Sequence, residues 1–260
     1  MRLRIVDSPR SARLRGVLAV TALALLTAVG CSSSTKPKTD AGSSTYTGAV
    51  AGTTISGTLV VTIATATPAA ATAATGIFGN QNFFNATATF TQTKPVAATV
   101  TLSGDYSDDF HAFGVTGTGP GGAVWLFTGD LKPYGFAALG DPDTVSDPEE
   151  LYAGLMKGTT DVIKVIGTYT TTTPPGGPAG NFNLTISGTE VHGYAVASDG
   201  KAVPLDGTYN PANGAIAIFT ATTQFAPGPT PAVGTLSGTT ANGTFSNSLG
   251  EGGTWTGTKQ

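Results

Sequence analysis

The chain has 260 residues, 40% of them hydrophobic, with 36 glycines, 16 prolines, a single cysteine, 11% charged residues and a formal net charge of −3. Glycine stands at about twice its ordinary usage and charge at less than half, so a disordered charged tail is excluded, and one cysteine excludes a disulfide scaffold. The glycines follow no three-residue period, which excludes collagen.

All the arginines (Arg2, Arg4, Arg10, Arg13, Arg15) lie at the start, and an apolar run, GVLAVTALALLTAVG over residues 16–30, leads from them to Cys31. A basic region, a short apolar run and small residues before a cut are the anatomy of an export signal, and the run is short for a membrane span. The residues Ala28-Val29-Gly30-Cys31 resemble the lipobox of bacterial lipoproteins, with Ala28 where that family usually has Leu. The resemblance implies diacylglyceryl transfer to the Cys31 thiol, cleavage before Cys31 and acylation of the new amino terminus. In lipoproteins of two-membrane bacteria an Asp after the lipidated cysteine often signals inner-membrane retention. Ser32 stands there, so the resemblance points to the outer membrane, on its periplasmic face or at the cell surface.

Cut at Cys31, the mature chain keeps no arginine, eight lysines and fifteen acids, since Asp7 is lost, and its formal charge moves to −7. Without a guanidinium fork or a basic stripe, nucleic-acid binding is excluded. The lone thiol is taken by lipid, which removes thiol catalysis and redox chemistry. Two or three acyl chains anchor stably where one would be marginal. Residues 31–44 read as a flexible tether spanning about 20 Å on random-coil scaling, and residues 45–260 as a single β-barrel-like domain.

From Tyr46 onward the pattern is of strands. Leu59, Val61 and Ile63 alternate with Thr58, Val60 and Thr62, and Thr87, Thr89, Thr91 and Thr93 alternate with Ala88 and Phe90. The runs Ala98–Ser103 and Phe182–Ser187 repeat the alternation. A period of two with Thr outward marks half-buried antiparallel strands with a wet face. Turn signals stand at Gly119-Pro120-Gly121-Gly122, Ser198-Asp199-Gly200, Asn213-Gly214 and Asn242-Gly243, and TTTPPGGPAG over residues 171–180 reads as a longer loop.

An apolar residue, then Ser, Thr or Asp, then Gly, then Thr or Asp recurs around Gly57, Gly104, Gly117, Gly129, Gly188, Gly207, Gly238 and Gly257. The spacing is too irregular for a propeller or solenoid. Strand glycines mark bulges, kinks and corners, so the fold class is all-β, an antiparallel and strongly curved sheet forming a barrel or barrel-like sandwich. One short helix is expected at about 147–157, with Asp147 as N-cap, Pro148 at the first helical position, acids in the first turn and a stripe of Leu151, Tyr152 and Leu155. Ala123–Phe127 is apolar on both faces, and the helix would cover that strand or cap a barrel mouth.

Candidate chemistry is sparse. Asp108, Asp109 and His111 place two carboxylates beside an imidazole, as a hydrolase or metal enzyme would need, although on a strand Asp108 points away from the other two. A polar turn between Tyr106 and Phe113 is the preferred account of these residues. Asp141, Asp143 and Asp147 alternate loosely, as oxygen ligands of Ca²⁺ would, without the glycine and terminal glutamate of an EF-hand loop. His192 shares a strand face with Glu190, which reads as a cross-sheet pair. Trp125, Phe127, Tyr134, Phe136 and Tyr152 belong to an aromatic group that would line an apolar pocket in a barrel mouth or fill the core. Gly207-Thr208-Tyr209 and the run Gly253 to Thr258 (GTWTGT) resemble strand patterns of lipocalin- and avidin-type barrels and of the lipid-anchored barrels of transferrin-binding surface proteins. That likeness implies architecture and carries over no ligand residue.

Three functions follow in order of preference. The first is a non-enzymatic, lipid-anchored cell-envelope module that binds a small apolar ligand or another envelope protein, without cofactor. The second is a structural or adhesive surface module without a pocket. The third is an enzyme built on Asp108, Asp109 and His111.

Overall fold

The computed structural model describes residues 44–52, 54–64, 83–108, 110–131, 135–140, 150–158, 162–220, 231–247 and 250–260, with side chains for all of these but 135–140 and 220. They form sixteen strands in two closed barrels, where the sequence pointed to one barrel-like domain. The first barrel comprises β1 (Ser44–Ala51), β2 (Ser56–Ile63), β3 (Phe83–Lys94), β4 (Ala98–Ser107), β5 (Ala112–Thr118), β6 (Val124–Asp130), β7 (Gly135–Gly140) and β8 (Leu151–Lys157). The second comprises β9 (Ile163–Thr173), β10 (Ala179–Ser187), β11 (Glu190–Ala197), β12 (Ala202–Asn210), β13 (Ala215–Thr220), β14 (Pro231–Ser237), β15 (Thr240–Ser246) and β16 (Gly252–Lys259). Each strand pairs antiparallel with the next, and β8 returns to β1 as β16 returns to β9. Closure removes the sheet edges.

The alternation read from sequence sets the two faces. Leu59, Val61, Ala88, Phe90, Val100 and Leu102 turn into the first barrel, and Thr87, Thr91, Thr99 and Thr101 turn out to solvent. Phe90 packs against Trp125 and Phe127 within its core, with ring centroids 5.2 and 5.3 Å apart. In the second barrel Val165, Phe182, Leu184, Ile186, Val191, Ile216 and Trp255 form the core.

Six of the eight repeat glycines (Gly57, Gly104, Gly117, Gly129, Gly207, Gly257) lie inside strands, two residues from an inward apolar side chain and therefore inward themselves. A methyl at Gly57, Gly104, Gly117 or Gly207 would strike the carbonyl oxygen of Thr91, Gly114, Thr101 or Ala217 on the neighbouring strand. These are the places where the sheet coils tightly. The other two, Gly188 and Gly238, occupy the first central position of two-residue hairpin turns at φ 59°, the geometry of a type II′ turn that glycine adopts without penalty. Asn242-Gly243 is not a turn: it lies within β15, and Gly243 makes room there for the ring of Trp255.

The helix expected at 147–157 is not formed, because Leu151–Lys157 is β8, hydrogen-bonded between β7 and β1. Leu151, Ala153 and Leu155 point inward at a period of two. The helical stripe was a coincidence of Leu151 and Leu155, which fit either period, and the ladder bonds that close the barrel override local propensity. Among the described residues no helix covers β6, where Val124 is 42% exposed.

The barrels pack on each other through the outer faces of β1 and β8 and of β10 and β11. The β1–β8 ladder skips Gly48 and Ala49, and the Ala49 amide donates to Thr185 Oγ1 of β10 at 2.8 Å. Asn181 and Asn183 donate to the carbonyls of Gly52 and Tyr152 at 2.9 and 2.8 Å. Gly154 meets Gly193 backbone to backbone, and Tyr152 stacks on Tyr194 at 5.5 Å. This explains why β8 and β10 are buried on both faces.

Candidate functional site

The second barrel holds a cavity of about 420 Å³. Phe182, Ala195, Leu205, Ile218, Ala232 and Trp255 form its wall, with Tyr169 and Phe245 above them. Toward the mouth it is bordered by Thr171, Pro178, Ser198, Asp199, Lys201, Asn247 and Glu251, contributed by the end of β9 and by the β9–β10, β11–β12 and β15–β16 connections.

The aromatic wall is built by a sequence rule. Phe182 lies directly across from Gly167, Tyr169 from Gly180, Phe245 from Gly253 and Trp255 from Gly243. In each pair the ring occupies the space a side chain on the glycine would take. The rings meet edge to face, Phe182 with Trp255 at 5.7 Å and Tyr169 with Phe245 at 6.1 Å. Glycine leaves a hole in the pleated surface, and an aromatic neighbour fills it. Small residues at Ala195 and Ala232 leave the space between the rings open.

The rim is polar. Lys201 Nζ reaches Asp199 Oδ2 at 2.5 Å, and this contact, with the Lys201 amide, holds the Asp199 carboxyl below its ordinary range. Asn247 Nδ2 donates to Glu251 Oε2 at 2.6 Å, and Asn247 Oδ1 accepts the Glu251 amide at 2.9 Å, which fixes that turn. Burial pushes the Tyr169 phenol up, and the charge on Asp199 adds to it. Among the described residues no imidazole lines this cavity. The chemistry offered is apolar enclosure with a charged lip.

The residues singled out in the sequence fall elsewhere. Trp125 and Phe127 are buried in the core of the first barrel. Tyr152 faces the second barrel and donates to the Glu150 carboxylate, and Phe136 sits on β7. Cys31, Asp109, Tyr134, Asp141, Asp143 and Asp147 lie outside the described residues. His111 adopts φ 54° in the β4–β5 turn, with Nδ1 3.2 Å from the Tyr106 hydroxyl. Burial first, then Asp108, pushes the Tyr106 phenol up to about 12. Asp108, His111 and Tyr106 therefore make a polar turn at one end of the first barrel. His192 Nδ1 lies 2.8 Å from Asp206 Oδ1 directly across the ladder, with Glu190 at 3.9 Å. Among the described residues no three His, Cys, Asp or Glu side chains converge as a metal site requires.

The sequence reading missed the cavity because it weighed aromatics by their density along the chain, which is higher in the first half. The usable signal was the aromatic–glycine pairing, and only strand register exposes it. The chain matches no protein-family model and no curated protein.

Proposed function

We propose that this protein is a non-enzymatic binding module of the bacterial cell envelope, anchored by lipid on Cys31, whose second barrel takes up a small apolar ligand. The aromatic cavity of about 420 Å³ carries this reading, because it falls within the roughly 300–1,000 Å³ typical of small-molecule sites. Eight-stranded barrels of this kind are just wide enough to hold one small ligand. The first barrel, with Phe90, Trp125 and Phe127 in its core, serves as the scaffold that carries the binding barrel. The Ser32 that follows Cys31 supports an outer-membrane address on the lipoprotein resemblance.

Native mass spectrometry of the mature chain from its host tests the proposal. A lipid-like mass that co-purifies with the protein, and is lost when Ala232→Trp fills the cavity, is the expected result. A bare mass under every condition, with no uptake of added apolar compounds, would sink it.

The second reading, a surface module working through its exposed faces, draws on the outward threonines. Thr168 and Thr170 of β9 pair with Thr256 and Thr254 of β16, and Thr254 pairs onward with Thr244 of β15. In that case Ala232→Trp would leave function intact, while charged substitutions at Thr254 and Thr256 would remove it.

A further inference from the structure

We infer that the ligand of the second barrel carries a cationic, ammonium-type head above its apolar body, and that anionic amphiphiles such as fatty acids bind more weakly. This rests on the second barrel being the binding site. Among the described residues, the charged side chains that line the cavity and its mouth are Asp199, Lys201 and Glu251, two carboxylates against one ammonium.

The single cation is already committed. Lys201 Nζ lies 2.5 Å from Asp199 Oδ2, and among the described residues no lysine pairs with Glu251, whose carboxylate is held by the Asn247 amide. A carboxylate head entering here would meet a net negative rim on a domain that is itself negative, without a free partner. An ammonium head would meet Glu251 and the rings of Tyr169 and Phe245, whose π faces attract cations. Burial among aromatic faces with a nearby carboxylate is the usual way proteins hold alkylammonium groups, whereas carboxylates and phosphates call for a guanidinium or an uncommitted lysine.

The test uses the full mature chain carrying Cys31→Ser, so that no detergent competes, and three matched probes below their micelle concentrations: decyltrimethylammonium, decanol and decanoate. Binding is read by calorimetry at neutral pH. The ammonium should bind about tenfold tighter than decanoate, with decanol between them, and Glu251→Gln should narrow the gap by about threefold to fivefold, the scale of one partly screened charge contact. Phe245→Leu should weaken the ammonium more than decanol. Ala232→Trp should abolish all three, with Ala195→Leu as the milder filling should the tryptophan variant fail to fold. Equal or tighter binding of decanoate, or a gap unmoved by Glu251→Gln, overturns the cationic-head inference while leaving a binding barrel in place. If no probe binds, or if binding survives both cavity fillings, the binding-module reading falls and takes this inference with it.

Discussion

Trp255 of β16 lies across Gly243 of β15, with its indole where the glycine's side chain would be. The same ring covers Gly234, which pairs with Gly243 one strand further on. One tryptophan thus spans two glycine gaps in the barrel wall and forms part of the cavity lining. Packing of this kind makes a wall from residues that separately would weaken a strand.

Gly243→Ala should therefore be costly. The added methyl would lie 2.6 Å from the indole and against the Val233 carbonyl, and backbone cannot retreat as a flexible side chain does. A loss of about 1–3 kcal/mol in unfolding free energy is expected from overpacking. Gly114→Ala is the control, because its methyl would find nothing nearer than Thr128 Cγ2 at 3.9 Å. That variant should be neutral or stabilised by up to about 1 kcal/mol. Urea denaturation of both variants gives the comparison.

Thr185→Val should expose the cost of one hydrogen bond between the barrels. Valine keeps the shape and removes the acceptor, leaving the buried Ala49 amide without its 2.8 Å partner. A loss of about 1–3 kcal/mol is expected, and Thr185→Ser, which keeps the acceptor, should lose less. A larger loss in Thr185→Ser than in Thr185→Val would show that the methyl, not the hydroxyl, holds the barrels together.

High pH should destabilise the fold through its tyrosines. Burial pushes the Tyr46, Tyr106 and Tyr169 phenols above their ordinary value, with carboxylates adding to it, and Tyr106 reaches about 12. A folded value above the unfolded one means the fold favours the neutral phenol. Its contribution is complete below pH 10 and is lost as pH climbs, for Tyr106 across the window from 10 to about 12. Melting temperature should stay level through neutral pH and fall from about pH 10 upward. Tyrosinate absorbance should rise later than in the denatured chain.

Cys31→Ser should release the protein from the membrane. The thiol is the acceptor that the lipoprotein resemblance requires, and its hydroxyl replacement accepts no diacylglyceryl group. Labelled fatty acid should enter the wild-type chain and not the variant, which should move to the soluble fraction. A variant that stays membrane-bound and keeps its label would remove lipid anchoring from the proposal.

The alternation of Thr with Leu, Val and Phe determined that the chain is all-β and which side of each strand is wet, because that signal is local and periodic. The density of inward glycines determined strong curvature for the same reason. Closure into two barrels was decided by long-range pairing. The Leu151–Lys157 segment shows why: its apolar residues satisfy a helical or a strand period, and only the partners on β1 and β7 choose. The cavity was likewise invisible along the chain, since Phe182 and Gly167, or Trp255 and Gly243, become neighbours only through register. Local chemistry fixes which residues are buried. Which of them fill a core and which leave a space is settled by the strands that stand opposite.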